Sequence, residues 1–146
     1  MIEKNIEIKE IEKVDDKLVE AMKRLVPQLS NSNSPPDRSA LEEIVTSDSS
    51  ILLAAFIDGE IVGSLTLVLF SIPTGKRAWI EDVDVDEKCR NKGIGEALNQ
   101  EAINIAKRLG AKTVDLTSRP SREAANRLYS RLGFVQRNTN IYRFEI

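Results

Sequence analysis

The sequence contains no histidine among its 146 residues, and this absence excludes several kinds of active site. Histidine is the commonest general base and the commonest metal ligand in proteins, so neither a Ser-His-Asp nor a Cys-His mechanism is available within one chain. We expect no metal site. The single cysteine, Cys89, excludes an intrachain disulfide and is typical of a reducing compartment, which predicts a cytoplasmic protein.

Long apolar runs and a surplus of positive charge are missing as well. The runs ILLAAFI and LTLVLF are far too short to cross a bilayer, and the charged N-terminus MIEKNIEIKE lacks a signal-peptide pattern. The net charge of −2 is unlike that of most nucleic-acid-binding proteins. We therefore expect neither a membrane nor a nucleic acid as partner. The length and the 30% share of charged residues are typical of one folded domain over residues 1–146.

What is present is a regular succession of strand and helix patterns. Alternating apolar residues predict strands at 5–9, 51–57, 60–70, 77–85 and 112–118, followed by a terminal hairpin at 134–138 and 141–146. Apolar residues at helical spacing predict helices at 15–29, from Asp37 through Val45, at 94–109 and from Pro120 to Leu132. Asp58-Gly59 favours a tight turn, and Gly110 and Gly133 favour helix ends. This order predicts a layered α/β domain.

Two glycines one residue apart, Gly93 and Gly95, stand between a strand and a helix in VDVDEKCRNKGIGEAL, residues 83–98. The segment lacks the Gly-Lys-Ser/Thr ending of a Walker loop, and it has Leu98 where the dinucleotide fingerprint needs Gly or Ala. Arg90 and the amide groups of a helix N-terminus would together bind an anion such as a pyrophosphate. Two glycines in the first turns of a helix are costly, which weakens the alternative of a plain helix start.

This junction resembles the acetyl-CoA-binding motif of the GNAT acetyltransferase superfamily, in which Arg/Gln-x-x-Gly-x-Gly/Ala follows a strand and opens a helix. A second segment, SREAANRLYSRLGF at residues 121–134, resembles the family's next motif, an Asn and a Tyr on a helix before Leu-Gly-Phe. The resemblance implies a single N-acetyltransferase domain over residues 1–146. Its fold would be a mixed, mostly antiparallel sheet with a parallel central pair, flanked by about four helices.

The resemblance also assigns roles to individual residues. The strand before the loop would bind the pantetheine arm of acetyl-CoA through the backbone of Val83, Asp84 and Val85. The loop would bind the pyrophosphate through Arg90, Asn91, Lys92, Gly93, Ile94, Gly95 and Glu96. Tyr129 stands at the position of the general acid that protonates the departing sulfur, and Asn126 would orient the cosubstrate. From the residues alone, Tyr129 is more often a core residue and Asn126 a solvated polar one.

Glu81 and Asp82, in the segment WIEDVDV, are the candidate bases for the attacking amine. Strict alternation places Glu81 on the face of Val83 and Val85, and Asp82 on the face of Asp84, although a bulge would change this. We favour Glu81. The alternatives are Asp82, an ordered water, or two solvent-facing charges without a catalytic role.

These observations predict an enzyme that transfers the acetyl group of acetyl-CoA directly to a primary amine in a ternary complex. Cys89 has no histidine partner, so an acyl-cysteine intermediate is disfavoured. The acceptor is left open between a small amine, an amino sugar, an amino acid and a protein amine. Loops at 28–37 and 70–77 and the C-terminal segment are expected to recognise it, and Arg119 and Arg122 would contact phosphates, an anionic substrate group or solvent. The alternative function is a non-catalytic acyl-CoA sensor or interaction domain. A homodimer is plausible, as is common in the family.

Overall fold

The structure, a computed structural model, describes residues 5–30 and 34–146. The chain divides into two compact units, Met1–Leu116 and Thr117–Ile146. In chain order the first unit contains β1 (Ile6–Glu10), α1 (Asp16–Leu29), α2 (Arg38–Val45), β2 (Ser50–Ile57), β3 (Glu60–Ile72), β4 (Gly75–Val85), a 3₁₀ turn (Glu87–Cys89), α3 (Ile94–Arg108) and β5 (Val114–Asp115). The second unit contains α4 (Glu123–Leu132). The single domain predicted for residues 1–146 stays a prediction.

The five strands found in the described residues form one sheet in the order β1-β2-β3-β4-β5. Neighbouring strands are antiparallel except β4 and β5, which are parallel because α3 lies between them in the chain. The predicted class, a mixed and mostly antiparallel sheet with four helices, is confirmed. The parallel pair lies at the end of the sheet and not at its centre, since no other strand within 5–30 and 34–146 extends the sheet beyond β5.

Two aspartates start the first two helices, as their positions predict. The Asp15 carboxylate accepts a hydrogen bond from the Leu18 N–H at 2.8 Å, and the Asp37 carboxylate accepts one from the Ala40 N–H at 2.8 Å. α4 ends at Gly133, also as predicted, and the φ of Gly133 is +103°. No helix in the described part of the chain is both long and apolar enough to cross a membrane.

Helices cover both faces of the sheet in the first unit. On β2, Leu52 and Ala54 face α1 and α2, where they join the buried side chains of Leu18, Ala21, Met22, Leu25, Leu41 and Ile61. Leu53 and Ala55 point to the opposite face of the same strand and are also fully buried. α3 packs on this second face, against β3 and β4. A continuous apolar run such as ILLAAFI is typical of a strand buried on both sides.

The predicted terminal hairpin is wrong. Residues 133–146, all of which the structure describes, form no strand. The large apolar side chains of this segment are exposed: Val135, Ile141, Tyr142, Phe144 and Ile146. Alternation is a local property, whereas a strand exists only where a backbone partner lies beside it, and the second unit supplies none.

Two element boundaries also differ from the predicted ones. β5 is limited to Val114–Asp115, although the pattern predicts a strand at 112–118. α4 begins at Glu123, later than the predicted start at Pro120, because the Arg122 N–H donates to the Arg119 carbonyl at 3.0 Å and closes a turn first. Both differences arise from backbone hydrogen bonding that the sequence pattern does not specify.

Candidate active site

The second half of β4 extends beyond the strand that pairs with it on one side. β5 is in register only with Ala78 and Trp79, while β4 continues to Val85. Past Trp79, no strand of residues 5–30 or 34–146 pairs with this side of β4. The backbone around Val83 and Val85 therefore offers an edge to which another extended chain can hydrogen bond.

A β-bulge interrupts β4 at Asp82, whose φ is +50°. Glu81 lies opposite Thr66 of β3, and Asp84 lies opposite Ser64, so β4 has one residue more than β3 in this interval. Thr66 and Ser64 point to the same face of β3. Residues directly opposite each other share a face, so Glu81 and Asp84 lie on the same side of the sheet, toward α1 and α2.

The bulge overturns the predicted grouping of side chains on β4. Strict alternation placed Glu81 with Val83 and Val85, but the additional residue places Glu81 with Asp84 instead. Asp84 is buried, whereas Val83 and Val85 are half-buried. Glu81 is exposed, and its Oε1 accepts a hydrogen bond from the indole N–H of Trp79 at 2.8 Å. The Trp79 indole therefore orients one oxygen of the candidate base.

After β4 the backbone enters the left-handed region twice before α3 begins. Asn91 has a φ of +65° and Gly93, the N-cap of α3, has a φ of +83°. The first hydrogen bond within the helix runs from the Ala97 N–H to the Gly93 carbonyl at 3.0 Å. The amides of Ile94 and Gly95 precede this bond and have no acceptor within the helix. Gly93 has no side chain to cap them, so an external anion can take that place.

The side chains around these amides favour the binding of a negatively charged ligand. Arg90 and Lys92 are exposed and bring two cations to the positive end of the α3 dipole. Ile94 is buried, so only its backbone is available to a ligand. Glu96 lies half-buried in the first turn of the helix. The loop fits a phosphate or pyrophosphate better than a neutral group.

Asp86, between β4 and the 3₁₀ turn, anchors the entrance to this loop. Its side chain is buried, and it accepts hydrogen bonds from Arg24 Nε at 3.1 Å and from the Lys88 N–H at 3.2 Å. Burial raises the pKa of Asp86, but the Lys88 N–H, the Arg24 guanidinium and a hydrogen bond from Gln28 together outweigh burial. The pKa therefore lies below its ordinary value of 3.8, and Asp86 is ionised at neutral pH.

The lowered pKa of Asp86 predicts how an Asp86→Asn variant responds to acid. A carboxyl whose pKa is lower in the folded chain than in the unfolded chain stabilises the fold at pH values above its unfolded-chain pKa. That stabilisation is lost as the pH falls through the folded-state pKa. We expect Asp86→Asn to lose about 1–2 kcal/mol of unfolding free energy at pH 7, because the hydrogen bonds from half-exposed Arg24 and from the Lys88 N–H lose their charged acceptor. The stability difference between the variant and the wild type should shrink as the pH falls below 3.8, the ordinary pKa of the group. Urea unfolding at pH 7 and below pH 3.8 measures the stability difference. Asp48→Asn, which replaces an exposed carboxylate, is the control. A difference independent of pH contradicts the prediction.

In the second unit, Tyr129 lies on the buried face of α4. It is 8% exposed, and its ring meets that of Phe134 edge to face, with centroids 5.8 Å apart. Burial raises the pKa of Tyr129 above its ordinary value, and the charge of Arg122 offsets part of this effect. The hydroxyl is protonated at neutral pH, as a general acid requires. The same burial suits a core residue, so the motif is what distinguishes the two interpretations.

Asn126, also on α4, has a local structural role. Its Nδ2 donates to the Arg119 carbonyl at 3.0 Å, across the turn that precedes the helix. The predicted alternative of a merely solvated side chain is therefore incomplete. Its role toward the cosubstrate stays a prediction, and Arg119 and Arg122 are exposed beside it.

Residues 18–134 match the family model described as the acetyltransferase (GNAT) family. The chain belongs to the GNAT family. It is 35% identical over 99 residues to the uncharacterized N-acetyltransferase YhdJ of Bacillus subtilis (strain 168), an alignment that covers 65% of this chain and 68% of that protein. This chain is therefore an acyltransferase, and the predicted family is confirmed.

Solved structures share the fold of this GNAT acetyltransferase. An aminoglycoside acetyltransferase, meta-AAC0020, from an uncultured soil metagenomic sample and in complex with sisomicin, is 18% identical with a TM-score of 0.83, covering 97% of this chain and 96% of that one. A transcriptional regulator from Bacillus halodurans C-125 is 26% identical with a TM-score of 0.77, covering 96% and 100%. In the described residues of this GNAT chain, no group of three His, Cys, Asp or Glu side chains is placed to hold a metal ion.

Four residues that hold the candidate site together were not predicted in that role: Arg24, Gln28, Gly63 and Asp86. Gln28 was predicted instead as part of the acceptor loop at 28–37, and the structure places it in α1. Arg24 and Gln28 lie 62 and 59 residues from their loop partners, so no local pattern indicates them. Gly63 is different, because a glycine inside an apolar strand often marks a close approach of another backbone. Asp86 also had a sequence signal, since an aspartate before a turn commonly caps it.

Proposed function

We propose that this GNAT acetyltransferase transfers the acetyl group of acetyl-CoA to a primary amine, directly and within a ternary complex. The observation that carries the proposal is the succession, in the first unit, of the open side of β4 and the left-handed glycine loop that begins α3. The strand edge suits an extended chain of amides, and the loop suits a dianion. The pantetheine arm and the pyrophosphate of coenzyme A are covalently joined in that order.

The residues proposed to bind acetyl-CoA act mainly through their backbones. Val83, Asp84 and Val85 would hydrogen bond to the pantetheine amides, and the amides from Gly93 to Glu96 would bind the pyrophosphate. The cations of Arg90 and Lys92 add long-range attraction, and Asn91 sets the turn of the loop. Asn126, assigned from its motif, would orient the cosubstrate.

Acetyl transfer to an amine requires two proton movements. The amine nitrogen attacks the thioester carbonyl carbon, so that a C–N bond forms and the C–S bond breaks. We propose that Glu81 accepts the proton that leaves the amine, directly or through water. The Tyr129 hydroxyl donates the proton that the thiolate takes up. The hydrogen bond from Trp79 supports the first role by orienting the Glu81 carboxylate. Acetyl-CoA supplies the activated acyl group, so no metal is needed for this chemistry.

Calorimetric titration with acetyl-CoA tests the proposal first. We expect micromolar affinity that weakens severalfold between about 50 mM and about 300 mM NaCl, because salt screens the attraction between the loop and the pyrophosphate. The double substitution Arg90→Gln and Lys92→Gln should weaken binding about tenfold at the lower salt concentration.

The matched control removes two positive charges from the other end of the same helix. Lys107 and Arg108 lie in the last turn of α3, and their replacement by Gln changes the net charge equally. We expect this control to bind acetyl-CoA as the wild type does. Equal weakening in both variants would indicate non-specific attraction and would contradict loop binding. A wild-type chain that does not bind at millimolar acetyl-CoA overturns the proposed function.

A second candidate function is a non-catalytic acyl-CoA sensor of the same fold. It is favoured by the similarity to the Bacillus halodurans protein, which is described as a transcriptional regulator. A sensor binds acetyl-CoA but releases no free thiol with any amine, so a thiol-release assay separates the two functions. The retained Tyr129 and Asn126 of the second motif support the enzyme, since a sensor needs no general acid.

The acceptor is proposed only as a primary amine. The fold shared with an aminoglycoside acetyltransferase makes aminoglycosides a sensible first panel, beside polyamines, amino acids and peptide N-termini. A cytoplasmic location, a homodimer and the lack of nucleic-acid or membrane partners are further proposals, which rest on the single cysteine, the family and the net charge of −2.

A further inference from the structure

The entrance to the glycine loop is held by α1, a helix distant in sequence. Arg24 donates from Nε to the Asp86 carboxylate at 3.1 Å and from Nη2 to the Ile61 carbonyl at 2.5 Å. The Asp86 N–H donates to the Val62 carbonyl at 2.8 Å. The helix, strand β3 and the start of the loop are therefore joined at one buried carboxylate.

Gln28, one turn after Arg24 on the same side of α1, holds the next residue of the loop. Its Oε1 accepts a hydrogen bond from the Glu87 N–H at 2.8 Å, and its Nε2 donates to the Arg24 carbonyl at 3.1 Å. Glu87 begins the 3₁₀ turn, where an N–H group has no acceptor within the turn itself. The side-chain amide of Gln28 thus uses both its donor and its acceptor and is fixed in one orientation.

We infer that Arg24 and Gln28 are positioning residues for the acyl donor: they hold the loop in its anion-binding conformation before acetyl-CoA arrives. This inference rests on the proposed function. Both residues act through Asp86 and Glu87, at the start of the 3₁₀ turn that precedes the left-handed turn at 91–93. A loop that is already ordered loses less conformational entropy on binding, which raises affinity.

Release of the loop should affect the binding of acetyl-CoA and not the chemical step. If α1 holds only the loop, a variant that releases it weakens acetyl-CoA binding and raises the KM for acetyl-CoA. Its kcat at saturating acetyl-CoA stays near that of the wild type, because the bound loop is restored by the ligand. A purely structural role would instead lower stability without a selective change in this KM.

The test compares two substitutions of similar size at one position. Gln28→Met keeps the length of the side chain but removes the acceptor for the Glu87 N–H. Gln28→Glu keeps that acceptor but loses the donor to the Arg24 carbonyl and adds a carboxylate beside Asp86, to which Gln28 also hydrogen bonds. We expect Gln28→Met to raise the Kd and the KM for acetyl-CoA about five- to tenfold, and Gln28→Glu to raise both by less, because repulsion from Asp86 offsets part of the retained hydrogen bond. Arg24→Lys should resemble Gln28→Met, since an ammonium group does not bridge Asp86 and the Ile61 carbonyl as a guanidinium does. Lys23→Ala, an exposed position on the same helix, is the control.

Amide hydrogen exchange of the ligand-free protein provides a readout that does not depend on the proposed function. In Gln28→Met we expect faster exchange at 86–92 and unchanged exchange elsewhere in the first unit. Faster exchange there with unchanged acetyl-CoA affinity overturns the inference, as does an affinity loss in Lys23→Ala equal to that in Gln28→Met. A wild-type chain that binds no acetyl-CoA overturns the proposed function instead.

Discussion

Replacing Tyr129 with Phe lowers the kcat for acetyl transfer by about 10²- to 10³-fold and leaves the affinity for acetyl-CoA within about twofold. The substitution removes the hydroxyl that we assign as the proton donor to the departing thiolate. It keeps the ring that packs edge to face on Phe134 at 5.8 Å, so α4 should retain its structure. Thiol release under saturating amine measures kcat, and calorimetry measures affinity.

The pH dependence gives the same prediction a second readout. Burial raises the pKa of Tyr129, an effect that the charge of Arg122 partly offsets. A donor must be protonated, so the wild-type rate falls only as pH rises past this elevated pKa, and the Phe variant lacks that alkaline limb. Tyr142→Phe removes a hydroxyl from an exposed tyrosine and should match the wild type. A Tyr129→Phe enzyme with full kcat would exclude the tyrosine as the acid.

Replacing Gly63 with Ala destabilises the first unit by about 2–3 kcal/mol. A Cβ at this position would lie 2.9 Å from the carbonyl oxygen of Asp84, 3.1 Å from Ile94 Cγ2 and 3.3 Å from Leu98 Cδ1. The carbonyl belongs to the backbone of β4 and the other two atoms to the packed face of α3. The Asp84 carbonyl is backbone and cannot turn away, and the two side-chain atoms must shift by a few tenths of an ångström, so β3 must separate slightly from β4 and α3. Urea unfolding measures the loss.

The separation should also reach the proposed cosubstrate site, because Asp84 and Ile94 belong to it. We expect Gly63→Ala to weaken acetyl-CoA binding in addition to lowering stability. Gly110→Ala is the comparison, since no atom of the described chain lies within 4 Å of its Cβ position and its φ is +84°. That variant should lose about 1 kcal/mol from backbone strain alone and bind acetyl-CoA normally. If the two variants lose equal stability, close packing at Gly63 is not the cause.

Much of the fold in the first unit follows from local patterns. Asp15 and Asp37 cap the helices that they were predicted to start, because a carboxylate can accept from the amides of the next turn wherever the chain becomes helical. The Asp58-Gly59 turn joins β2 and β3 as expected. The glycines of the loop were recognisable too, since their residue type and spacing have a cost that a plain helix start would not explain.

Other features depended on partners far away in the chain. Alternation indicated a strand at 141–146, but a strand also needs a neighbouring backbone, and the segment has none within its unit. The side of the sheet on which Glu81 lies was predicted incorrectly because a bulge adds one residue, and only the pairing with β3 reveals it. Local sequence does not contain this information.

The sequence by itself determined the family, the starts of the first three helices, the glycine loop and the candidate acid, because each depends on residue types at short spacing. Only the tertiary structure decided which side chains of β4 share a face, where β5 stops pairing, and that Arg24 and Gln28 hold the loop. These depend on contacts between residues up to 62 positions apart. Such contacts form through packing of whole elements, and neighbouring residues in the sequence do not encode them.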